Sequence, residues 1–338
     1  MAEVRTIAIA GDVMLGRLVN KTIGVEGFAY PWGNLLDVLN EADLFLINLE
    51  CALTSQSQPW HDDMHKAFYF RADPSAVKSL QIAGVDFASL ANNHAADFGA
   101  QGLAETVRVL DSAGIAHAGA GPTISAAGAP ALLELDNGLV AVLAAADHPR
   151  NWAATADSPG INYIEVSTDE EDFAPIARSL QDARQRAGLV IFSMHWGPNM
   201  RPRPAADFRA FARAIITAGA DVFWGHSAHL VQGAEIWNGK LILYDTGDFI
   251  DDYAVDSQLR NDLSALFLVR VRPPVIEELE IVPVVIDEMQ VNLAHREEGN
   301  LFLERFESLC AEMGTELIRG PRTARIVVAR PAKAGSRL

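Results

Sequence analysis

An α/β fold is predicted by this sequence, on two observations. Apolar runs of strand length, at residues 4–10, 43–47, 85–90, 189–194 and 221–224, alternate with stretches of helical period. Several of these strands also end in residues able to hold a metal ion: Asp12, Glu50, Asn93 with His94, His195, then His226 with His229. In a layered α/β fold the carboxyl ends of the strands converge on one edge, and ligands bind there.

Composition narrows the partners. The chain has 338 residues, 49% hydrophobic and 21% charged, which suits a globular protein of one large domain or two ordinary ones. Its 44 acidic and 27 basic residues give a net charge of -17, a field that disfavours nucleic acid and anionic membranes as partners. A local cationic pocket remains compatible with that balance. The two cysteines, Cys51 and Cys310, imply no disulfide framework and fit a reducing compartment. The start, MAEVRTIAIAGD, runs straight into a strand without a basic and then apolar leader, and no apolar run reaches ~18 residues. The expectation is a cytoplasmic protein without a membrane partner; its oligomeric state is not encoded in any visible pattern.

Taken in order, residues 4–10 form the first strand, closed by Gly11-Asp12, and VMLGR turns the chain. Residues 35–42 read as a short helix and 43–47 as a strand ending at Asn48-Leu49-Glu50. A polar loop at 56–65 carries Trp60, His61 and His65, and is expected to lie over the site. KAFYFR (66–71) alternates like a strand, and Asp73 is a plausible N-cap for a helix at 74–83. The strand at 85–90 runs into LANNHAADFG, and a helix follows at 99–113 with Leu103, Val107 and Leu110 on one face. The bland reading of that stretch is a helix start capped by Asp97, with His94 on the surface.

Residues 114–122, GIAHAGAGP, read as a structural glycine turn, because the dinucleotide spacing is incomplete. Asp136-Asn137-Gly138 is the strongest hairpin signal, between strands at 131–135 and 139–145. Asp147-His148 follows. A helix at 173–187 precedes the strand that ends in His195, and a helix at 204–218 precedes the one that ends in His226-Ser227-Ala228-His229. Strands at 230–237 and 240–244 join at Asn238-Gly239, and Asp245-Thr246-Gly247-Asp248 forms another turn. Beyond Asp262 come strands at 263–271, 277–286 and 290–293, a helix at 301–313, and a strand at 324–329. No linker or repeat divides the chain. Residues 1–255 are expected to form the main domain, 256–330 to complete it, and 331–338 to be a frayed tail.

Carboxylate, amide oxygen and imidazole together suit a borderline or hard divalent ion. GHSAH lacks the closing glycine of a nucleophile elbow, so a serine hydrolase is disfavoured. Cys51, beside Glu50, reads as a packed small hydrophobe. The remaining histidines are scattered, but His148 stands at a strand end beside Asp147.

Six motifs in order, GDVMLGR, NLECALT, KAFYFRADP, LANNHAADFG, HWGPN and GHSAHLVQGAEIWNGKLILYDTGDF, resemble the CapA (poly-γ-glutamate capsule synthesis) family. That family belongs to the calcineurin-like metallophosphatase superfamily. The resemblance implies a metallophosphatase-like four-layer α/β/β/α sandwich, here with a C-terminal α+β extension. It implies a site for one or two divalent ions (Mn, Zn, Fe, Mg or Ca). By the same resemblance Asp12, Asn93, His195, His226 and His229 are metal ligands, and Glu50 stands where a bridging carboxylate is expected. His94 is then the catalytic acid, oriented by Asp97. Two departures stand out: Met14 replaces the histidine of the superfamily's Asp-x-His motif, and Glu50 replaces an aspartate.

The resemblance also implies a peptide or γ-glutamyl substrate. Lacking an anchor, the chain is expected to be a metal-dependent enzyme that epimerises a Cα of a ribosomal, lasso-type peptide precursor, as one CapA-like enzyme does. His94 and a second histidine, His148, His229 or His295, would be its acid and base. The alternatives are a poly-γ-glutamate (amide) handling enzyme of capsule type, a phosphoesterase, and a non-catalytic binding protein on the same fold.

Overall fold

The computed structural model describes residues 3–60, 66–136 and 138–329. Two β-sheets face each other with helices flanking them, the α/β sandwich that the resemblance implies. The main path of the first sheet runs Ile318–Arg319, Ala324–Val327, Val275–Asp287, Leu263–Arg272, Arg5–Val13, Leu44–Leu49, Phe87–Ser89, Ala116–Ala118. From Arg5–Val13 to Ala116–Ala118 the pairing is parallel, so these strands deliver their carboxyl ends to one edge. On the other side Leu263–Arg272 pairs antiparallel with Arg5–Val13, which builds the C-terminal strands into the same sheet. The short strand Asp248–Ile250 adds to the end of Arg5–Val13 and sets Asp248 opposite Asp12.

The second sheet runs Ala234–Trp237, Lys240–Leu243, Val222–His226, Leu189–His195, Gly138–Ala146, Ala131–Leu135. Its four inner strands are parallel, and each outer strand joins by an antiparallel hairpin. His195 and His226 fall opposite each other in that register.

Strand periodicity decides which side chains meet between the sheets. Leu189 and Ile191 join the core shared with the first sheet. Val190, Phe192 and Met194 face the helices Glu170–Arg186 and Ala206–Ala218, packing with Leu180, Phe211 and Ile215. Burial of each such Leu, Ile or Phe contributes about 1.5–3 kcal/mol, so the layers are held firmly. Phe87 meets Trp224 across the gap with ring centroids 6.5 Å apart. One step further along, the Ser193 hydroxyl donates to Ser89 Oγ at 3.1 Å. The interlayer thus turns polar as the strands approach their carboxyl ends.

Several elements differ from expectation. Helix Arg17–Glu26 stands where a turn was expected; its N-cap Gly16 offers no capping side chain, so the sequence signal is absent. The helix at 35–42 is a single turn, Leu36–Leu39. The expected strand at 66–71 shrinks to Arg71–Ala72, because the Phe70 N–H is donated to Asp97 Oδ2 at 2.6 Å. Asp73 makes no side-chain cap and instead accepts from Asn20 Nδ2. Ala116–Ala118, in the glycine stretch, is a strand. The last helix begins five residues earlier than expected, at Arg296, where Glu298 accepts a hydrogen bond from the His295 N–H. The hairpin strands Ala131–Leu135 and Gly138–Ala146 form; Asn137 itself, the loop residues His61 and His65, and the tail from residue 330 lie outside the described residues. Among the described residues no helix is long and apolar enough to cross a membrane.

Candidate metal centre

Two groups of ligating atoms lie at the converging strand ends, each within 4.8 Å internally. One comprises Asp12, His195 and His226; the other Asp12, Glu50, His229 and Asp248. Asp12 is common to both, whereas Glu50 falls in one, so the shared carboxylate is not the residue that the resemblance put in the bridging role. Asp248, which sequence reasoning left as a turn residue, joins the second group. YDTGDF reads as a turn, and only the pairing of Asp248–Ile250 with Arg5–Val13 brings Asp248 beside Asp12. Met14 enters neither group; its buried sulfur accepts the Gly16 N–H at 3.0 Å.

The sheets contribute different chemistry. The first supplies Asp12 and Asp248 from its strands and Glu50 just beyond Leu44–Leu49; the second supplies His195, His226 and, beyond its strand end, His229. Close backbone approach requires glycine just before two of them. A Cβ on Gly11 would lie 1.8 Å from Gly247 O, and one on Gly225 would lie 2.0 Å from Tyr244 O. Two residues in the turn have positive φ, Ser227 at 113° and His229 at 56°, conformations that side chains other than glycine adopt at a cost of order 1–3 kcal/mol. Such strain concentrates where geometry serves function.

Hydrogen bonds set each side chain. Asn92 donates to Asn48 Oδ1 at 3.0 Å and to Leu49 O at 2.9 Å, and Asn48 donates to Asp12 Oδ1 at 2.7 Å. His226 Nε2 lies 2.9 Å from Ser193 Oγ, which leaves Nδ1 facing Asp12 Oδ1 at 3.7 Å and His195 Nδ1 at 3.0 Å. His229 Nδ1 is 2.7 Å from Asp248 Oδ1 and 3.5 Å from Asp12 Oδ2. Tyr253, also missed in the sequence, places its hydroxyl 3.5 Å from Glu50 Oε2.

The buried atoms left without a partner test the fit of a cation. Asp12 Oδ2, Glu50 Oε1, Asn93 Oδ1, His195 Nε2 and Asp248 Oδ2 are all buried and, among the described residues, make no hydrogen bond. Buried oxygens and imidazole nitrogens in that state are costly unless something positive receives their lone pairs. Titration behaviour agrees. Burial, then the Glu50 charge, raises Asp12 well above the usual carboxylate range, and burial lifts Glu50 to about 7. Burial alone holds His226 down at about 3, and burial with the neighbouring His226 pushes His195 well below its ordinary value. Burial lowers His229 too, but Asp248, Glu50 and Asp12 outweigh it and carry it well above. Carboxylates whose ionisation the crowding opposes, beside His195 and His226 held neutral, are groups whose charged form a bound divalent ion would favour by supplying the missing positive charge.

Beside this centre lies the pair His94 and Asp97. Asp97 Oδ2 is 2.7 Å from His94 Nδ1, and His94 Nε2 is 3.9 Å from Glu50 Oε1. His94 is 6% exposed and stacks on Phe70 with ring centroids 3.8 Å apart. The bland alternative therefore fails: Asp97 holds an imidazole, and the helix Gly99–Ala113 has Phe98 at its N-cap position. Burial dominates over Asp97 and holds His94 down at about 4, which favours the neutral ring. Lys66, a third residue that the sequence reading did not assign to the site, contacts Asn93 O and Asp97 Oδ1, and its Nζ is 3.2 Å from His94 Nδ1. Trp60, within the loop expected over the site, donates its backbone N–H to Asp97 O at 2.7 Å.

His148 stands by the first group. Its ring centroid is 5.2 Å from that of His195, and Asp147 contacts its Nδ1 while accepting the Gly197 N–H at 2.9 Å. His295 is removed from consideration as an acid or base of this site: it is an exposed residue at the N-cap of the last helix. His117 pairs with Asp111 near the end of helix Gly99–Ala113.

Residues 6–253 match the family described as "Bacterial capsule synthesis protein PGA_cap". The chain belongs to this family. Among curated proteins, a "Probable polyglutamine synthesis accessory protein" of Mycobacterium tuberculosis is 30% identical, covering 94% of each chain. The "Capsule biosynthesis protein CapA" of Bacillus anthracis is 27% identical, over 85% of this chain and 68% of its own. A solved structure of a Mycoplasma pneumoniae phosphatase aligns with a TM-score of 0.49 and 13% identity, over 86% of this chain and 92% of that one. The PGA_cap family therefore accounts for the six motifs. Its relatives here are named for capsule and polyglutamine synthesis, and none of those names points to Cα epimerisation.

Proposed function

We propose that this PGA_cap-family chain is a metal-dependent enzyme acting on γ-glutamyl amide bonds, the capsule-type reading. The observation that carries the metal dependence is the set of buried, unpartnered lone pairs arranged in two groups around Asp12. The substrate class rests on the family and on the names of the relatives. Asp12, Glu50, His229 and Asp248 would hold one ion, and Asp12, His195 and His226 another, with the unpartnered Asn93 oxygen as a further donor. A bound divalent ion polarises an amide carbonyl and favours charge developing on its oxygen.

His94 Nε2 is the proton acceptor. It takes a proton from the attacking water as the new C–O bond forms, and returns it to the leaving nitrogen as the C–N bond breaks. Asp97 fixes the Nδ1–H form of the ring and stabilises the positive charge while the proton is held. Lys66 braces Asp97 and the Asn93 carbonyl, so the ligand and the base keep a fixed relation.

The test is incubation of the Mn- or Zn-loaded protein with γ-linked pentaglutamate and, separately, with bis(p-nitrophenyl) phosphate. Release of shorter γ-glutamyl fragments, abolished by chelation and restored by the ion, supports the reading. Turnover of the phosphodiester alone overturns it in favour of a phosphoesterase. Solvent deuterium entering a peptide Cα without chain cleavage overturns it in favour of epimerisation.

A further inference from the structure

Two side chains, His94 and Tyr253, converge on one carboxylate of the metal centre. The Tyr253 hydroxyl donates to Glu50 Oε2 at 3.5 Å, and His94 Nε2 lies 3.9 Å from the other oxygen, Oε1. The proton acceptor proposed above and a phenol therefore bracket one candidate ligand. The same phenol ring meets a second candidate ligand, with its centroid 5.1 Å from that of His229 and 78° between the planes. Glu50, His94, His229 and Tyr253 come from separate segments, so these contacts are made in space and not along the chain.

Phe70 couples the two rings. It stacks on His94 with centroids 3.8 Å apart and on Tyr253 at 5.6 Å, at interplanar angles of 21° and 29°. Asp97 Oδ2 accepts the Phe70 N–H at 2.6 Å and lies 2.7 Å from His94 Nδ1, so one oxygen fixes both the imidazole and the ring that supports the tyrosine. Asp251 Oδ1 accepts the Tyr253 N–H at 2.7 Å and holds its backbone. Tyr253 is half-buried: packing orders its ring without sealing it from solvent. Among the described residues Glu50 is the only hydrogen-bond partner of its hydroxyl, and 3.5 Å is long for such a bond, which normally spans about 2.5–3.0 Å. A phenol carries its proton at neutral pH, so Tyr253 is an oriented donor without a close acceptor.

We propose that Tyr253 is a further catalytic residue, whose hydroxyl donates a hydrogen bond to the amide oxygen as negative charge develops on it. The proposal rests on the γ-glutamyl reading above and deepens it. His94 Nε2 handles the proton of the attacking water; the phenol transfers no proton and contributes only the hydrogen bond. A donor held in place before the reaction stabilises that charge without reorganising. The attacking oxygen and the amide oxygen end on one carbon, so the groups that serve them must stand close together. Sharing the Glu50 carboxylate brings them there.

The experiment compares Tyr253→Phe with the unmodified full chain, both loaded with Mn, on γ-linked pentaglutamate. The variant keeps the ring and its stacking, so the fold is retained. Its kcat is expected to fall about 10²-fold, the low end for removal of one such donor, with KM and bound metal unchanged. A phosphinate analogue of the γ-amide carries the charged oxygen permanently, and by calorimetry it is expected to bind the variant about 10²-fold more weakly. Reduced metal content in the variant, with turnover restored by excess Mn, overturns the proposal in favour of a hydroxyl that only orients Glu50. An unchanged kcat overturns it and leaves the γ-glutamyl reading standing. Absence of pentaglutamate cleavage by the unmodified chain overturns both.

Discussion

The strand Val222–His226 is flanked at its amino end by Asp221 and ends in His226, and the two residues are buried to the same degree. Asp221 is fully paired: its carboxylate contacts Arg184 and Lys240 and accepts the Val190 N–H at 2.8 Å. At the other end, Asp12, Asp248 and His195 keep lone pairs that no hydrogen-bond donor among the described residues receives. Burial alone does not separate a structural charge from a functional one. Completed pairing does, because an unmet buried polar group persists only if something else repays its cost.

The sharpest way to break this contrast is Asp12→Ala. Removal of the carboxylate common to both groups should abolish bound metal by elemental analysis, exceeding the roughly 10–100-fold loss caused by removing an outer-shell partner. Metal-free stability should stay level or rise, since a desolvated acid is gone. Unchanged metal content would place the site elsewhere. His94→Gln should lower turnover about 10²–10⁴-fold, the usual contribution of a positioned acid–base group, while metal content stays constant.

Asp221→Ala should behave in the opposite way, with metal content unchanged and urea stability lower by about 3 kcal/mol. That figure sits at the low end of the range for broken buried pairs, because Arg184 and Lys240 stay 35% and 32% exposed and can turn to water. A metal loss without destabilisation would erase the distinction between the two ends. Ser193→Ala should have the smallest effect, weakening metal affinity about 10–100-fold by freeing His226 Nε2. Affinity equal to that of the unmodified chain would show that the serine only packs.

The strand-end residues were legible because parallel strands of an α/β fold must deliver them to one edge. Asp12, Glu50, Asn93, His195, His226 and His229 therefore could be picked out one by one. What was not legible depends on pairing between distant segments. Asp248 reads as a turn residue until its strand adds beside Asp12. Lys66 reads as the start of a strand until Asp97 takes the Phe70 N–H and bends that segment toward His94. The burial that favours the neutral ring of His94 was not legible either, because burial depth is a property of the assembled layers.

The division of donors between the sheets has one more consequence. Carboxylates come from one jaw and imidazoles from the other, so the distance across the sandwich sets the bite of the centre. The contact between Phe87 and Trp224 lies just behind the Ser89–Ser193 hydrogen bond, and works like the spacer of a calliper. A change of one methylene there alters ligand separation without touching a ligand. Preference among ions of different radius is then expected to change with hydrophobic packing deep in the fold.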